Sequence, residues 1–226
     1  MRASLIRKSA LSAAVALAGF AGLAHGSLVV DVTTSDPTLI SAPGQVVNFT
    51  ITATVTGQDA NLTNEALQSA AGNILGTLGG SGGPGGNISA VSLATTPVAF
   101  NASGSSPGTP TDLNADGNLD NSGVNARASG QSPGETFVLG TFTWTANNAN
   151  AGSDQITWVP KPAAGLVAGA VWQEDGSPKS NTTSGGGTYT AGPGVTLTAV
   201  ATPEPGSLAL AGIAGAGLLL RRRRHA

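Results

Sequence analysis

A strict alternation of apolar residues and threonine constrains the fold of this chain more than any other feature. From Phe49 to Thr56 every odd position is apolar and every even position is threonine. Because successive side chains of a β-strand point to opposite faces, this pattern predicts a strand with one buried and one solvated face. Shorter versions of the pattern occur at 28–33, 156–159, 167–173 and 195–201. Repeated half-buried strands indicate a mainly β fold.

A second long strand is predicted from 137 to 145. Val138, Phe142 and Trp144 are expected to share its apolar face, opposite a row of threonines. Trp158 falls on the apolar face of its own short strand, so both tryptophans are predicted to lie in the core. Gly, Pro, Asn and Asp cluster between the strands, as turns require.

One segment departs from the two-residue period. Residues 64–78 begin with Asn64 as a possible N-cap and Glu65 in the first turn, and their apolar residues then follow helical spacing. These residues are Leu67, Ala70, Ala71, Ile74, Leu75 and Leu78. The pattern predicts one short surface helix.

The first strands have no covering face of their own and need the later strands to bury them. The chain is therefore predicted to fold as a single antiparallel β-sandwich over 27–202, with the short helix as an addition. The arrangement resembles the cohesin and carbohydrate-binding-module sandwiches of secreted bacterial proteins. The resemblance rests on residues 44–47 leading into the first long strand and on the late strand with Phe142 and Trp144.

The N-terminal segment, residues 1–26, has the layout of a secretory signal peptide. Three basic residues precede an apolar stretch over 10–23, and Ala24-His25-Gly26 supplies small residues at the outer positions of a cleavage site. We expect a signal helix here and cleavage after Gly26. The alternatives are a retained anchor or an amphipathic transit helix.

The C-terminal segment, residues 203–226, combines three features. They are Pro203, Glu204 and Pro205, an apolar run over 208–220, and Arg221, Arg222, Arg223 and Arg224. A helix of these 13 apolar residues spans roughly 20 Å, less than the roughly 30 Å of hydrocarbon in a bilayer. The arginines hold that end on the cytoplasmic side, which leaves the preceding domain outside.

This order of features resembles the PEP-CTERM sorting signal, which an exosortase-type membrane protease recognises in bacteria that build extracellular matrix. The resemblance implies a short transmembrane helix that anchors the chain in the inner membrane during transit, followed by processing. The protein is then expected in the cell envelope, at the surface or outside the cell. The alternative is an ordinary single-pass anchor that stays in place.

Without the two terminal segments, the chain has far more acidic than basic residues. Between residues 27 and 202 only Arg127, Lys161 and Lys179 are basic, against eleven acidic residues, which gives a net charge of −8. Such a surface repels a phosphate backbone, so nucleic-acid binding is not expected. Divalent cations are plausible partners.

The histidine and cysteine counts limit the chemistry of this domain. The two histidines are His25 and His225, both in the terminal segments, and the chain has no cysteine. A Ser-His-Asp triad, a cysteine nucleophile and a His/Cys zinc site are therefore excluded between 27 and 202. Glu174 and Asp175 are adjacent rather than across a cleft, and Asp175-Gly176 is more typical of a hairpin turn. We expect no enzyme, with a hydrolase as the least favoured class.

Residues 112–120 are the sharpest internal motif. Calcium takes six to eight oxygen ligands on a curled loop, and this stretch places oxygen-bearing side chains at alternate positions with Gly117 at the turn. The predicted ligands are Asp112, Asn114, Asp116, Asn118 through its carbonyl, and Asp120. The motif resembles the calcium loop of dockerins and EF-hands but has Gly123 where those loops carry a bidentate acid. The alternative is an Asn/Asp/Gly-rich turn that binds nothing.

The sequence therefore favours a non-enzymatic exported protein with a structural or adhesive role in exopolysaccharide or biofilm. The second hypothesis is a carbohydrate-binding module, which would present exposed aromatic rings on one sheet face. Trp158, Trp172 and Tyr189 are the residues that such a platform would use.

Overall fold

The structure, a computed structural model, describes residues 27–61, 63–76, 83–94, 106–133 and 135–200. Within these ranges the chain forms strands, turns and loops, with no helix. The predicted signal helix and the C-terminal apolar run lie outside the described residues. No helix in the described part of the chain has the length and apolarity needed to cross a membrane.

Two β-sheets make up the fold. The smaller sheet has the strand order β12 (Thr188–Ala191), β1 (Ser27–Thr33), β3 (Val46–Thr56), β8 (Thr136–Ala146) and β5 (Gly86–Leu93). The larger sheet has the order β11 (Ser177–Ser180), β10 (Ala170–Glu174), β4 (Ala66–Leu75), β9 (Gly152–Pro160), β13 (Val195–Ala199) and β2 (Leu39–Ile40). In the same larger sheet, β7 (Asn121–Pro133) pairs with β4 and with β6 (Ser106–Pro107).

The alternating strand β3 supplies a central part of the core. Its odd residues from 47 to 55 are all buried, whereas its threonines are only partly covered or exposed. Phe49 stacks on Phe142 of the neighbouring strand β8 with a ring-centroid distance of 4.9 Å. One hydrophobic cluster contains residues from both sheets. The prediction of a mainly β fold is confirmed, and the two sheets with one shared core are compatible with a sandwich-like fold.

The predicted helix over 64–78 is wrong, because this segment forms strand β4. Leu67, Ala70 and Ile74 do face the core, but the pairing of β4 with β10 shifts register between Leu67 and Ser69, so that Gln68 is an extra residue and the phase of the strand changes. Gly72 then occupies the inward position between Ala70 and Ile74. The bulge separates the inward residues Leu67 and Ala70 by three positions, and the glycine removes the apolar side chain at position 72. The apolar residues of this strand therefore have the three- and four-residue spacing of a helix.

A second bulge changes the phase of β8. The pairing of β8 with β3 shifts register between Ile51 and Thr52, so that Leu139 is the extra residue. Phe137 and Leu139 are therefore buried, while Val138 is 38% exposed. The prediction that Val138 shares the apolar face is wrong, whereas Phe142 and Trp144 are buried as expected.

The sandwich is not wholly antiparallel. β1 pairs in parallel with β12, and β13 pairs in parallel with β2. In each case an early strand lies beside a late one, so the two ends of the described chain are fixed to each other through the sheets. All other strand pairs are antiparallel.

All three tryptophans pack closely against a glycine on a neighbouring strand or loop. The pairs are Trp158 with Gly72, Trp144 with Gly86, and Trp172 with Gly187. A Cβ atom added at any of these glycines would overlap the indole ring. The glycines thus provide the space that lets large rings pack close to the backbone, which explains how a domain with few aromatic residues fills its core.

Candidate metal centre

The predicted calcium loop is a closed loop between β6 and β7. The Thr111 N–H donates to the Asn121 carbonyl at 2.8 Å, and the Asp120 N–H donates to the Thr111 carbonyl at 3.0 Å. At the same end of the sandwich, the Gly76 N–H donates to the Asp120 carbonyl at 2.7 Å. These bonds fix the base of the loop to the larger sheet.

Inside the loop the chain curls around its own carboxylates. Asp112 accepts hydrogen bonds from the N–H groups of Ala115 at 2.8 Å and Gly117 at 2.9 Å. Asp116 accepts one from the Asn118 N–H at 2.8 Å. Gly117 has a φ of 90°, a conformation that favours glycine. The tight curl expected from the sequence is present, with Gly117 at the turn.

Three of the predicted ligands come together. Carboxylate oxygens of Asp112, Asp116 and Asp120 all lie within 4.8 Å of one another. Two oxygens that bind the same Ca²⁺ at about 2.4 Å are separated by at most about 4.8 Å, so one ion fits the spacing of all three groups. The set of hard oxygen donors also suits calcium better than a soft metal.

Asp120 is the buried member of this cluster. Its side chain is 5% exposed, and its Oδ2 atom is buried without a hydrogen-bond partner. Desolvation, together with the nearby charges of Asp116, Asp112 and Asp154, raises the pKa of Asp120 to about 6. The Leu113 N–H donates to this carboxylate and partly offsets the rise in its pKa. A buried carboxylate that is crowded by like charges and has one oxygen without a donor is a group that a cation would stabilise.

The environment of Asp116 is different. Its carboxylate is exposed, and the hydrogen bond from the Asn118 backbone lowers its pKa below the ordinary value. Asp116 therefore stays ionised next to Asp120 over the physiological pH range. Protonation of Asp116 therefore does not reduce the repulsion between the carboxylates of the loop.

The two predicted asparagine ligands hold the loop together. The Asn114 side chain accepts from the Asp116 N–H at 3.2 Å and donates to Asp116 Oδ2 at 3.1 Å. The Asn118 side-chain oxygen accepts from Asn147 at 2.6 Å, while its amide nitrogen donates to Asp116 at 3.1 Å. Their roles as calcium ligands remain predictions.

Asp154 on β9 is an acidic residue near this cluster that the sequence pattern did not reveal. It is buried on the same face of its strand as Ile156 and Trp158, and its charge contributes to the raised pKa of Asp120. The only sign of it in the sequence is an acidic residue at a position of the β9 strand pattern that should face the core. The twelfth loop position, Gly123, lies within β7 opposite Asn73 and has no side chain to offer.

The aromatic platform proposed for sugar binding is not formed. Trp158 and Trp172 are 1% and 0% exposed. Tyr189 is half-buried, and its hydroxyl donates to the Ala71 carbonyl at 2.9 Å and accepts from Trp158 Nε1 at 3.0 Å. No aromatic side chain in the described ranges is exposed.

A cleft of about 890 Å³ lies on the outer face of the larger sheet. Outward residues of β4, β7 and β9 line it, together with the loop 161–169. Its polar lining includes Gln68, Asn73, Asn125, Arg127 and Lys161. Two of the three basic residues between 27 and 202 therefore line this one cleft.

Comparison with known families assigns the C-terminal segment. Residues 201–224 match the PEP-CTERM protein-sorting motif, including the Pro-Glu-Pro triplet and all four arginines. The chain carries a PEP-CTERM sorting motif. The PEP-CTERM motif indicates an exported protein that is anchored in the membrane during transit and processed there by an exosortase.

The sandwich itself has no counterpart in these comparisons. No curated protein and no solved structure shows significant similarity to the chain. The PEP-CTERM match covers the sorting segment alone and assigns no function to the folded region.

Proposed function

We propose that this PEP-CTERM protein is a non-enzymatic structural or adhesive component of the cell surface or extracellular matrix, and that its sandwich binds calcium at loop 112–120. The observation that carries the calcium proposal is the buried Oδ2 of Asp120, which has no donor and lies in a three-carboxylate cluster. The sorting motif supports the export, and the lack of histidine and cysteine between 27 and 202 supports the absence of catalysis.

Calcium has two effects in this proposal. It offsets the repulsion among Asp112, Asp116 and Asp120, and it makes the connection between β6 and β7 rigid. Asp116 is exposed and Asp112 is partly exposed, so part of the coordination shell faces solvent. Water or an anionic group of a matrix polysaccharide completes the shell there, which links the protein to an acidic exopolysaccharide.

The experiment follows the full chain in an exosortase-containing bacterium. The wild-type protein is expected in the matrix fraction and to be released by a calcium chelator. The Asp112→Ala plus Asp116→Ala variant should still be exported and processed, but it should appear in the culture medium rather than the matrix. Glu135→Gln is the matched control and should behave as wild type. It removes a charge just before the start of β8, whereas loop 112–120 lies near the end of that strand. Equal retention of all three proteins with and without chelator would contradict the proposal.

Carbohydrate binding is a second candidate, and the cleft on the larger sheet is the observation that favours it. Amide side chains such as Asn73 and Asn125 are suited to hydrogen-bond sugar hydroxyls, and the exposed Leu166 supplies an apolar contact at the same cleft. This mode uses no stacked aromatic ring. The full chain should bind oligosaccharides on a glycan array, and Asn73→Ala plus Asn125→Ala should abolish the signal. If the variant binds oligosaccharides as well as the wild type does, the cleft is not the sugar-binding site.

A further inference from the structure

A second acidic cluster lies where the β3–β4 connection meets the β10–β11 hairpin. Carboxylate oxygens of Asp59, Glu65 and Asp175 lie within 4.8 Å of one another. The first two residues belong to the connection, and Asp175 is in the two-residue turn of the hairpin, where Glu174 pairs with Ser177. Residues far apart in sequence thus bring three carboxylates to one place.

Glu65 distinguishes this cluster from an ordinary group of surface acids. Its side chain is 1% exposed, and its Oε2 atom is buried without a hydrogen-bond partner. Its other oxygen, Oε1, lies against Gly57 together with Asp175 Oδ1, because a Cβ atom added at Gly57 would overlap both. The two oxygens therefore converge on one small space that a larger residue at position 57 would fill.

Asp59, which is exposed, and Asp175, which is partly exposed, are held in position by backbone donors and one side-chain amide. Asp175 accepts hydrogen bonds from the Gln58 N–H at 3.0 Å and the Asp59 N–H at 3.3 Å. Asp59 in turn accepts from the Asn61 N–H at 2.7 Å and from the Asn64 amide at 2.9 Å. The carboxylates are fixed before any ligand arrives, which reduces the entropy cost of binding one.

No basic side chain in the described ranges forms an ion pair with these groups, and a fourth acid adds to the charge. Glu174, 2% exposed, has a buried Oε2 without a partner, and its other oxygen accepts only a long 3.5 Å bond from the Gln58 amide. Burying carboxylates without a donor or a cation costs several kcal/mol in principle. A cation bound between the carboxylates would offset this cost.

We propose that Asp59, Glu65 and Asp175 form a second calcium site, separate from loop 112–120. The donors are hard carboxylate oxygens, and their spacing matches a Ca²⁺ shell with ligands at about 2.4 Å. Glu65 is the buried ligand, Asp175 bridges the two chain segments, and Asp59 lies on the solvent side, where water completes the shell. The ion joins the β3–β4 connection to the β10–β11 hairpin.

The two sites lie at opposite ends of the sandwich. Glu65 directly precedes β4, whereas the loop 112–120 contacts Gly76, which directly follows it. A strand of ten residues spans roughly 30 Å. At this separation the two sites bind independently, and their effects on stability add. The second site therefore does not depend on the function proposed for the first.

Native mass spectrometry of the full chain in mild detergent counts the bound Ca²⁺ ions. The wild type should hold two, Glu65→Gln should hold one, and Asp112→Asn plus Asp116→Asn should also hold one. The combined variant should hold none. A Glu65→Gln protein that still holds two ions would overturn the second site, and loss of an ion only with the loop substitutions would leave a single site at 112–120.

Two controls keep this result interpretable. Glu135→Gln removes one charge at the same end of the sandwich, next to the residue that pairs with Thr54, and should retain two ions. Asp59→Asn changes an exposed side chain, leaves the core intact and removes one ligand charge. The calcium affinity of this site should therefore fall by about tenfold or more without a change in the circular dichroism spectrum. Unchanged affinity in a folded Asp59→Asn protein would contradict its role as a ligand.

Discussion

Replacing Asp120 by asparagine should change protein stability in opposite directions with and without calcium. Asn keeps the side-chain oxygen and shape but removes the charge. Its amide nitrogen would take the place of the buried Oδ2, which has no donor, and would face the carboxylates of Asp112 and Asp116. In the absence of calcium, a repulsive group becomes a hydrogen-bond donor.

The size of the effect follows from the pKa of Asp120. Its value of about 6 in the folded protein, against the ordinary 3.8, corresponds to at most about 3 kcal/mol of unfavourable free energy when the group is ionised. Solvent at the mouth of the loop screens part of this, so we expect a gain of about 1–2 kcal/mol for Asp120→Asn in chelator near neutral pH. With calcium at 100 times its dissociation constant, the wild type gains about 2.7 kcal/mol, and the variant should lose most of that gain.

Urea unfolding of the full chain, followed by the emission of its buried tryptophans, measures both free energies. In chelator the Asp120→Asn midpoint should lie above the wild-type midpoint, and in millimolar calcium it should lie below. Glu135→Gln should leave the order unchanged. A variant that is less stable than wild type in chelator, or that gains as much from calcium as wild type does, would refute the electrostatic account of the loop.

Three further outcomes are expected. In chelator, the unfolding free energy of the wild type should fall as pH rises from about 4 to 6, because the folded state then loses a proton from Asp120 that the unfolded state has already lost; Asp120→Asn should lack this fall. Gly72→Ala should destabilise by about 1–3 kcal/mol through overpacking of the Trp158 ring, whereas Gly123→Ala, which meets only one side-chain oxygen at 3.5 Å, should be neutral in urea titrations. Replacing Pro203-Glu204-Pro205 by alanines should leave a chain that ends at Ala226 by intact mass, while the wild type lacks the arginine run.

The sequence predicted the fold class because the threonine alternation in β3 is uninterrupted. It failed at β4 and at Val138 of β8, and both errors have the same cause. A β-bulge adds one residue to the strand and reverses the faces beyond it. In β4 the inward Gly72 also hides one apolar position, since glycine contributes no hydrophobic signal. Neither bulge can be read from the residue types alone, because it depends on the pairing partner.

Of the two candidate metal sites, one could be predicted from the sequence and the other could not. The loop 112–120 is contiguous, so its spacing alone predicted where Asp112, Asp116 and Asp120 meet. The cluster of Glu65 and Asp175 is formed by tertiary structure between segments more than a hundred residues apart, and no local spacing could indicate it. Asp154 was missed for the same reason, since its proximity to Asp120 depends on the packing of β9.

The position of β13 places the folded sheet only a few residues from the sorting segment. This strand ends at Ala199 between β9 and β2, and Pro203 follows four residues later. However extended, four residues reach at most about 14 Å. For a cut near Pro203, a protease that binds an extended stretch on both sides would have to act at the edge of the folded sheet or before β13 has paired. Lengthening this spacer is a direct way to make cleavage independent of folding.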